Sequence, residues 1–284
     1  MSSSQPPDPV IDAIVAEPPG HRPLTLDLFR PPAGAAPHPL VIWVHGGGWR
    51  TGSNKHDGPQ LAPARIGDRI LAAGYALARV SYRLSGEATF PAQLHDVKAA
   101  VRWLRQHSAG LRLDQARFAV WGESAGGHLA ALVALTGDDP SMAGGGAVPG
   151  VSDAVRAGVL WYAPSDLLTM AAQNHPEGLQ DHDAPESPES RLVGGPVQEL
   201  PKESAAASPV NYVSPDAPPL LIAHGEQDRI VPVGQSRELH ERLIAVGAPA
   251  ELRIVPGADH CFVGADLVPL VDEGLTFLDR ALDR

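Results

Sequence analysis

The sequence predicts an α/β protein in which a mostly parallel sheet carries helices on both faces. Three observations predict it. Apolar, strand-like runs alternate with segments of helical spacing from about residue 39 to the C terminus. The run PLVIWVHGGGW is continuous rather than alternating, as in a strand buried on both faces. The chain also has 284 residues, 43% of them hydrophobic, enough for a large single core.

In chain order, the first eight residues read as a disordered tail, and residues 1–22 as an N-terminal tail and lead-in to a single domain spanning 23–284. PLTLDLFRP (Pro23–Pro31) alternates like a strand. PLVIWVHGGGW (Pro39–Trp49) is an apolar run ending in glycines, a buried strand. PARIGDRILAAGY has helical spacing and stops at Gly74. YALARVSYRL (Tyr75–Leu84) reads as a strand, and QLHDVKAAVRWLRQH (Gln93–His107) as an amphipathic helix with Leu94, Val97, Val101 and Leu104 on one face.

The alternation continues with a strand at Arg117–Trp121, a helix at Ala125–Thr136 and strands at Ala157–Tyr162 and Pro219–His224. A helix at Val233–Val246, a strand at Glu251–Val255 and a last helix near Val268–Leu282 complete it. Parallel strands joined through helices require right-handed crossovers. Two stretches break the rhythm. Thr136–Asp153 reads as a flexible surface loop, and Gln173–Pro196 is long, polar and proline-rich, the composition of a lid. Leu192 and Val193 are its few apolar residues and its expected anchor.

The net charge of −11 and the absence of a basic run disfavour nucleic acid and anionic membrane surfaces. A single cysteine, Cys261, allows no intrachain disulfide and no thiolate cluster. The start, MSSSQPPDPV, has neither a basic nor an apolar signal region, and no segment offers some twenty apolar residues in a row. The expectation is a soluble, cytoplasmic protein acting on a small molecule, with no metal, cofactor, nucleic-acid or membrane partner.

AVWGESAGGHLAALVAL (Ala119–Leu135) carries the chemistry. Ser124 stands between Gly122 and Gly126 where strand passes into helix. A tight strand–nucleophile–helix turn crowds the backbone, and small residues two before and two after relieve it; this is the G-x-S-x-G nucleophile elbow. The pentapeptide alone also fits a flexible turn, so its place between strand and helix gives it weight. A serine needs a base, and the base an orienting acid, in the chain order Ser, Asp or Glu, His. Asp228, in HGEQDRIVP, and His260, in PGADHCF, follow successive strands at their carboxyl ends. Glu226 lies nearer its strand with uncertain reach, and Asp259 adjoins His260. His128, His224 and His45 read as packed residues, and Cys261 as a small packed residue without an elbow. HGGGW (His45–Trp49) lets backbone N–H groups approach an oxyanion without interference from Cβ. No Gly-Lys-Ser/Thr or G-x-G-x-x-G follows to make it a phosphate cradle.

Together with YRLSGEATFPAQLHDVKAAVRWL, these five motifs in order resemble the α/β-hydrolase superfamily. Within it the chain is similar to the hormone-sensitive-lipase-like carboxylesterases, nearest the compact acetyl- and feruloyl-esterase-like branch. The resemblance runs from about Leu24 to the C terminus. It implies an eight-stranded-type sheet with a small lid insertion, nucleophile Ser124, acid Asp228 and base His260. It further implies oxyanion donors on Gly47, Gly48 and Ala125. Many relatives carry Asp before Tyr-Arg-Leu, where this chain has Ser81. The expected activity is a serine carboxylesterase on short-chain or small soluble esters, with Trp49 walling the acyl pocket or simply packed in the core. An arylformamidase or amidase would use the same triad, and a non-catalytic binding protein is the rival from another class. An ion pair between Arg83 and Asp96, bracing the loop behind the site, is a separate expectation.

Overall fold

The computed structural model describes residues 8–31, 37–144 and 150–284. All but Asp8 of the expected disordered tail, and 145–149 within the expected loop Thr136–Asp153, lie outside the described residues.

The chain opens with strands β1 (Val10–Ala16), β2 (Leu24–Phe29) and β3 (His38–Val44), then helix α1 (Ile66–Ala72) and strand β4 (Ala76–Val80). Helices α2 (Ala92–Gln106) and α3 (Ser108–Leu111) lead to strand β5 (Leu113–Glu123) and helix α4 (Ala125–Leu135). Strand β6 (Ala157–Trp161) is followed by the short helices α5 (Pro188–Val193) and α6 (Pro201–Ala206), then strand β7 (Leu220–Gly225). Helix α7 (Val233–Ala245), strand β8 (Ala250–Val255) and helix α8 (Leu267–Ala281) close the fold. The eight strands form one sheet in the order β1-β2-β4-β3-β5-β6-β7-β8. It is parallel from β4 through β8, and β2 is antiparallel to both of its neighbours.

The continuous apolar runs are explained by two cores. Successive side chains of a strand point to opposite faces. In β3, Leu40, Ile42 and Val44 join the core that includes α2, α4 and α7, while Val41 and Trp43 join the core beneath α1 and α8. On the second face Trp43, Trp121 and Trp161 form an aromatic cluster, with Trp121 and Trp161 edge-on at 5.1 Å between centroids. Helix α8 closes on this cluster at Gly274, where a Cβ would stand 2.4 Å from the Trp121 ring.

Strand β1 falls inside the segment read from sequence as tail and lead-in. Its alternation is broken at Asp12, whose φ of 55° accompanies a register shift against β2. A bulge of this kind hides the period-two pattern. Asp12 N–H donates to Asp27 Oδ1, and Lys55 bridges both carboxylates. Ser81, the departure from the resemblance, extends the edge pairing: its Oγ donates to Thr25 O at 2.7 Å and accepts from Thr25 N–H at 2.9 Å.

Replacing Gly274 by Ala sets two effects against each other. Helix propensity favours Ala by about 1 kcal/mol, but overpacking a full core costs about 1–3 kcal/mol. With a contact this short, overpacking wins, and Gly274→Ala is expected to lower the urea midpoint by the equivalent of about 1 kcal/mol. An unchanged or higher midpoint would show that α8 yields without cost.

Candidate active site

The site is built where parallel strands end. β5 stops at Glu123, Ser124 sits at φ 53° and ψ −123°, and α4 starts at the next residue. A positive φ at a residue with a side chain is strained and persists only where the surroundings impose it. Here they do. A Cβ on Gly122 would lie 2.2 Å from Gly126 O, and one on Gly126 would lie 2.1 Å from Val44 O. Both glycines are therefore required by contact between backbones, and the turn is held between β3 and α4. Ser124 N–H is fastened to Trp161 O at 2.9 Å.

The structure brings Ser124, His260 and Asp228 into one hydrogen-bonded line. His260 Nε2 lies 3.1 Å from Ser124 Oγ, and His260 Nδ1 lies 2.7 Å from Asp228 Oδ2. The other Asp228 oxygen accepts from the N–H groups of Ile230 and Val231 at 2.9 and 2.8 Å. Burial pushes the Asp228 carboxyl up, but hydrogen bonds from His224 and His260 outweigh it and hold the group well below the usual carboxylate range. The rival acids are elsewhere. Glu226 is exposed and accepts from Gly257 N–H, while Asp259 pairs with Arg229 and caps His260 N–H.

The remaining histidines are wired into the frame. His224 Nε2 donates to Val231 O and Nδ1 meets Ser236 Oγ, so this ring supports the loop that carries Asp228. His45 stacks on Tyr82 at 4.3 Å and its Nδ1 donates to Gly46 O. His128 joins Trp49 Nε1 to Ala207 O. Burial lowers the pKa of both His45 and His128 to about 4, so both are neutral connectors at neutral pH. Trp49 is 1% exposed, with its N–H committed to His128, and the residue also contributes to the wall of the cavity beside Ser124. Cys261 borders the cavity with a thiol pushed up to about 12, by burial first and then by the charge of Glu123, which keeps it protonated.

Ser124 opens into a cavity of about 470 Å³ that Gly47, Gly48, Ala125 and His260 also line. Gly47 and Gly48 have φ of 107° and 59°, a course that only glycine follows at little cost. Among the described residues, the N–H groups of Gly47, Gly48 and Ala125 donate to no protein acceptor. Gln180, Pro188 and Glu189 line the same cavity, so the segment Gln173–Pro196 lies at this end of the sheet, and its Leu192 and Val193 are buried in the main core. Within that segment Ser187 caps α5 by accepting from Ser190 N–H.

Sequence reasoning missed Glu123, the unassigned letter of G-x-S-x-G. Its Oε1 accepts from Gly46 N–H at 2.6 Å, tying the serine turn to the glycine loop. Burial raises its pKa to about 7, only partly opposed by the Gly46 hydrogen bond and the nearby His260. It also missed Tyr162, whose ring stands edge-on to His260 at 4.8 Å. The expected pair is present: Arg83 Nε and Nη2 reach the two Asp96 oxygens at 2.8 and 2.7 Å, and Arg83 N–H adds a third bond.

Residues 26–243 match the sequence model of the BD-FAE family. The chain belongs to this family. It therefore has the α/β-hydrolase fold that its eight-stranded sheet displays. It is 36% identical over 250 residues to the esterase LipQ of Mycobacterium tuberculosis, an alignment covering 86% of this chain. The chain spans only about half the length of that relative, 55%. Among solved structures, a truncated carbohydrate esterase from gut microbiota superposes with a TM-score of 0.84 at 26% identity, covering 100% of this chain and 99% of the other. Esterase 2 of Thermogutta terrifontis with butyrate bound superposes with a TM-score of 0.72 at 27% identity, covering 96% and 92%.

Two expectations follow from this geometry. Lys cannot reproduce the paired Arg83–Asp96 bonds, which are largely buried, so Arg83→Lys should lower stability by about 1–3 kcal/mol in thermal melts. An unchanged melting curve would mean that the pair is merely solvated. For Glu123, an acid with a raised folded-state pKa contributes stability that is full below its unfolded value of 4.5 and lost as pH rises through about 7. Glu123→Gln keeps an acceptor for Gly46 N–H and removes that titration. Its stability relative to the parent chain should therefore improve between pH 5 and pH 8, by on the order of 1 kcal/mol. Parallel stability curves across that range would refute the assignment.

Proposed function

We propose that this chain is a serine carboxylesterase acting on short-chain or small esters through an acyl-enzyme. One observation carries the reading. The Asp228–His260–Ser124 line, at 2.7 and 3.1 Å, ends in a cavity that Gly47, Gly48 and Ala125 also line, their backbone N–H groups uncommitted among the described residues. His260 Nε2 accepts the Ser124 proton as Oγ bonds to the ester carbonyl carbon, and the oxyanion is held by the N–H groups of Gly47, Gly48 and Ala125. The tetrahedral adduct collapses, the C–O bond to the alcohol breaks, and His260 returns the proton to the departing oxygen. Water then repeats the sequence on the acyl-enzyme and releases the acid. Asp228 stays ionised throughout, fixing the imidazole tautomer and stabilising the imidazolium. Every step is supplied by side chains and backbone, so no cofactor is needed.

Short acyl groups are supported by the butyrate-bound state of the Thermogutta esterase and by the modest cavity. Asp57, Glu123 and Glu189 border that cavity, and among its described lining residues there is no Lys or Arg. This favours neutral esters over esters that carry a second carboxylate. We further infer that residues 23–284 act as one domain, with 173–196 as a lid shaping the mouth through Gln180, Pro188 and Glu189. Among the described residues no helix is long and apolar enough to cross a membrane. A cytoplasmic setting and small-molecule rather than nucleic-acid partners complete the proposal.

Ser124→Ala should lower kcat on a short p-nitrophenyl ester by several orders of magnitude without moving the melting curve, and should abolish labelling by a fluorophosphonate. Asp228→Asn should also be severely impaired, through the wrong His260 tautomer. Retention of more than about a tenth of kcat in Ser124→Ala would end the reading. On a matched panel, kcat/KM should rank butyrate methyl ester above succinate monomethyl ester, and both above the corresponding amides. A preference for aryl formamides would turn the assignment to an amidase on the same residues.

A further inference from the structure

The acid and the base of the catalytic line are carried by two different loops. Asp228 follows β7, which ends at Gly225, and His260 follows β8, which ends at Val255. β8 is the last strand in the sheet order, so β7 is its one strand neighbour. The distance between Asp228 and His260 is therefore set by contacts between the loops as well as by the sheet.

Those contacts converge on Arg229 and Asp259, the immediate chain neighbours of the acid and the base. Asp259 Oδ1 accepts from two backbone N–H groups, that of Arg229 at 2.9 Å and that of His260 at 2.8 Å. Its Oδ2 accepts from Arg229 Nε at 2.7 Å and also from Nη2. One carboxylate thus fixes the backbone beside the acid, the backbone of the base, and a guanidinium fork that spans both loops. A third segment joins at the same residue. Leu179 N–H, in the segment 173–196, donates to Arg229 O at 2.8 Å.

The turn that carries His260 needs such a hold. Cys261 and Phe262, which follow it, have φ of 58° and 56°. Residues with side chains keep such left-handed values only where their surroundings impose them. On the C-terminal side the hold is Phe262, which is buried and edge-on to Trp161 and Tyr162 at 5.3 and 4.8 Å between centroids. On the N-terminal side it is Asp259.

Ile230 and His260 line the cavity at Ser124, but neither Arg229 nor Asp259 does, so neither touches the reacting atoms. Their side chains are 40% and 21% exposed, and an ion pair screened by solvent adds little to global stability. Its effect on chemistry is under a different constraint. Displacing a catalytic group by about 1 Å costs on the order of a hundredfold in rate.

We propose that Arg229 and Asp259 are positioning residues: their clamp holds His260 between Asp228 and Ser124 and fastens the segment 173–196 to the same point. The proposal rests on the esterase reading of Ser124, Asp228 and His260, and adds to it the device that sets their spacing.

The test compares Asp259→Ala, Arg229→Met and the double variant with the parent chain on p-nitrophenyl butyrate. Per folded molecule, Asp259→Ala should lower kcat by about tenfold or more, with KM within about twofold and the melting midpoint close to the parent's. Arg229→Met removes the fork but leaves the backbone bonds, so its loss in kcat should be smaller. The double variant should match Asp259→Ala, because both substitutions break one clamp. A further readout does not depend on ester hydrolysis: the His260 Nδ1 proton shared with Asp228, followed by proton NMR downfield of the amides. Its exchange with water should be about tenfold faster in Asp259→Ala, as local opening becomes easier. A parent chain inert toward esters, with this proton loosened in the variants, would overturn the ester reading and support the clamp. Unchanged kcat, a loss confined to KM, a double variant in which the two losses multiply, or an unchanged proton would overturn the clamp. If Asp259→Ala fails to fold, Arg229→Met decides by the same kcat and proton measurements.

Discussion

The arrangement at the active site depends on one close approach of backbones. Gly126 O lies where a side chain on Gly122 would begin, and Val44 O lies where one on Gly126 would begin. Three segments, the ends of β3 and β5 and the start of α4, are pressed together with no side chain between them. The strained Ser124 dihedrals are a consequence of that contact. So is the proximity of the glycine loop after β3 to the serine, since β3 and β5 are adjacent parallel strands that end side by side. Glu123 uses this proximity, reaching from the serine turn to Gly46 N–H. Strands β7 and β8 end at the same edge and deliver Asp228 and His260 from the other side.

Four histidines at this edge share one chemistry and are given different tasks by burial. His45 and His128 are enclosed and held neutral; His45 closes on Gly46 O within its loop, and His128 connects Trp49 to Ala207. His224 is fully buried and braces the Asp228 loop. His224 also lies between Asp228 and a serine, Ser236, but both of those contacts are buried in the frame; His260 links the same carboxylate to Ser124, the serine that lines the cavity. Its exchangeable nitrogen faces the cavity while its other nitrogen is anchored, the division a proton shuttle requires.

Much of this was legible in the chain. Strands β3 and β5 through β7 stand out because a strand covered on both faces needs uninterrupted apolar residues, and the two cores confirm that cover. Ser124 was legible because only glycine fits at 122 and 126, and Asp228 and His260 because each follows a strand ending on the same edge. β1 was not, since the bulge at Asp12 breaks its alternation. The short helices α5 and α6 were not, since six residues show too little periodicity to separate them from a polar loop.

The sequence by itself determined the strand–helix alternation, the elbow and the chain order of nucleophile, acid and base, because these rest on local backbone space and on periodic burial. Only the tertiary structure decided which groups meet. Glu226 and Asp228 are near neighbours in sequence, and their difference lies in where the turn after β7 points each side chain, Glu226 toward Gly257 N–H and Asp228 toward His260, while Asp259, the neighbour of His260 after β8, turns to Arg229. Glu123 is an arbitrary letter in its motif until β3 brings Gly46 beside it. Arg102 is an ordinary helix residue until Asp153, fifty-one positions away, pairs with it in the buried interior. Hydrogen bonding acts over about 3 Å, and distance along a chain carries no information about distances of that size until the fold has closed.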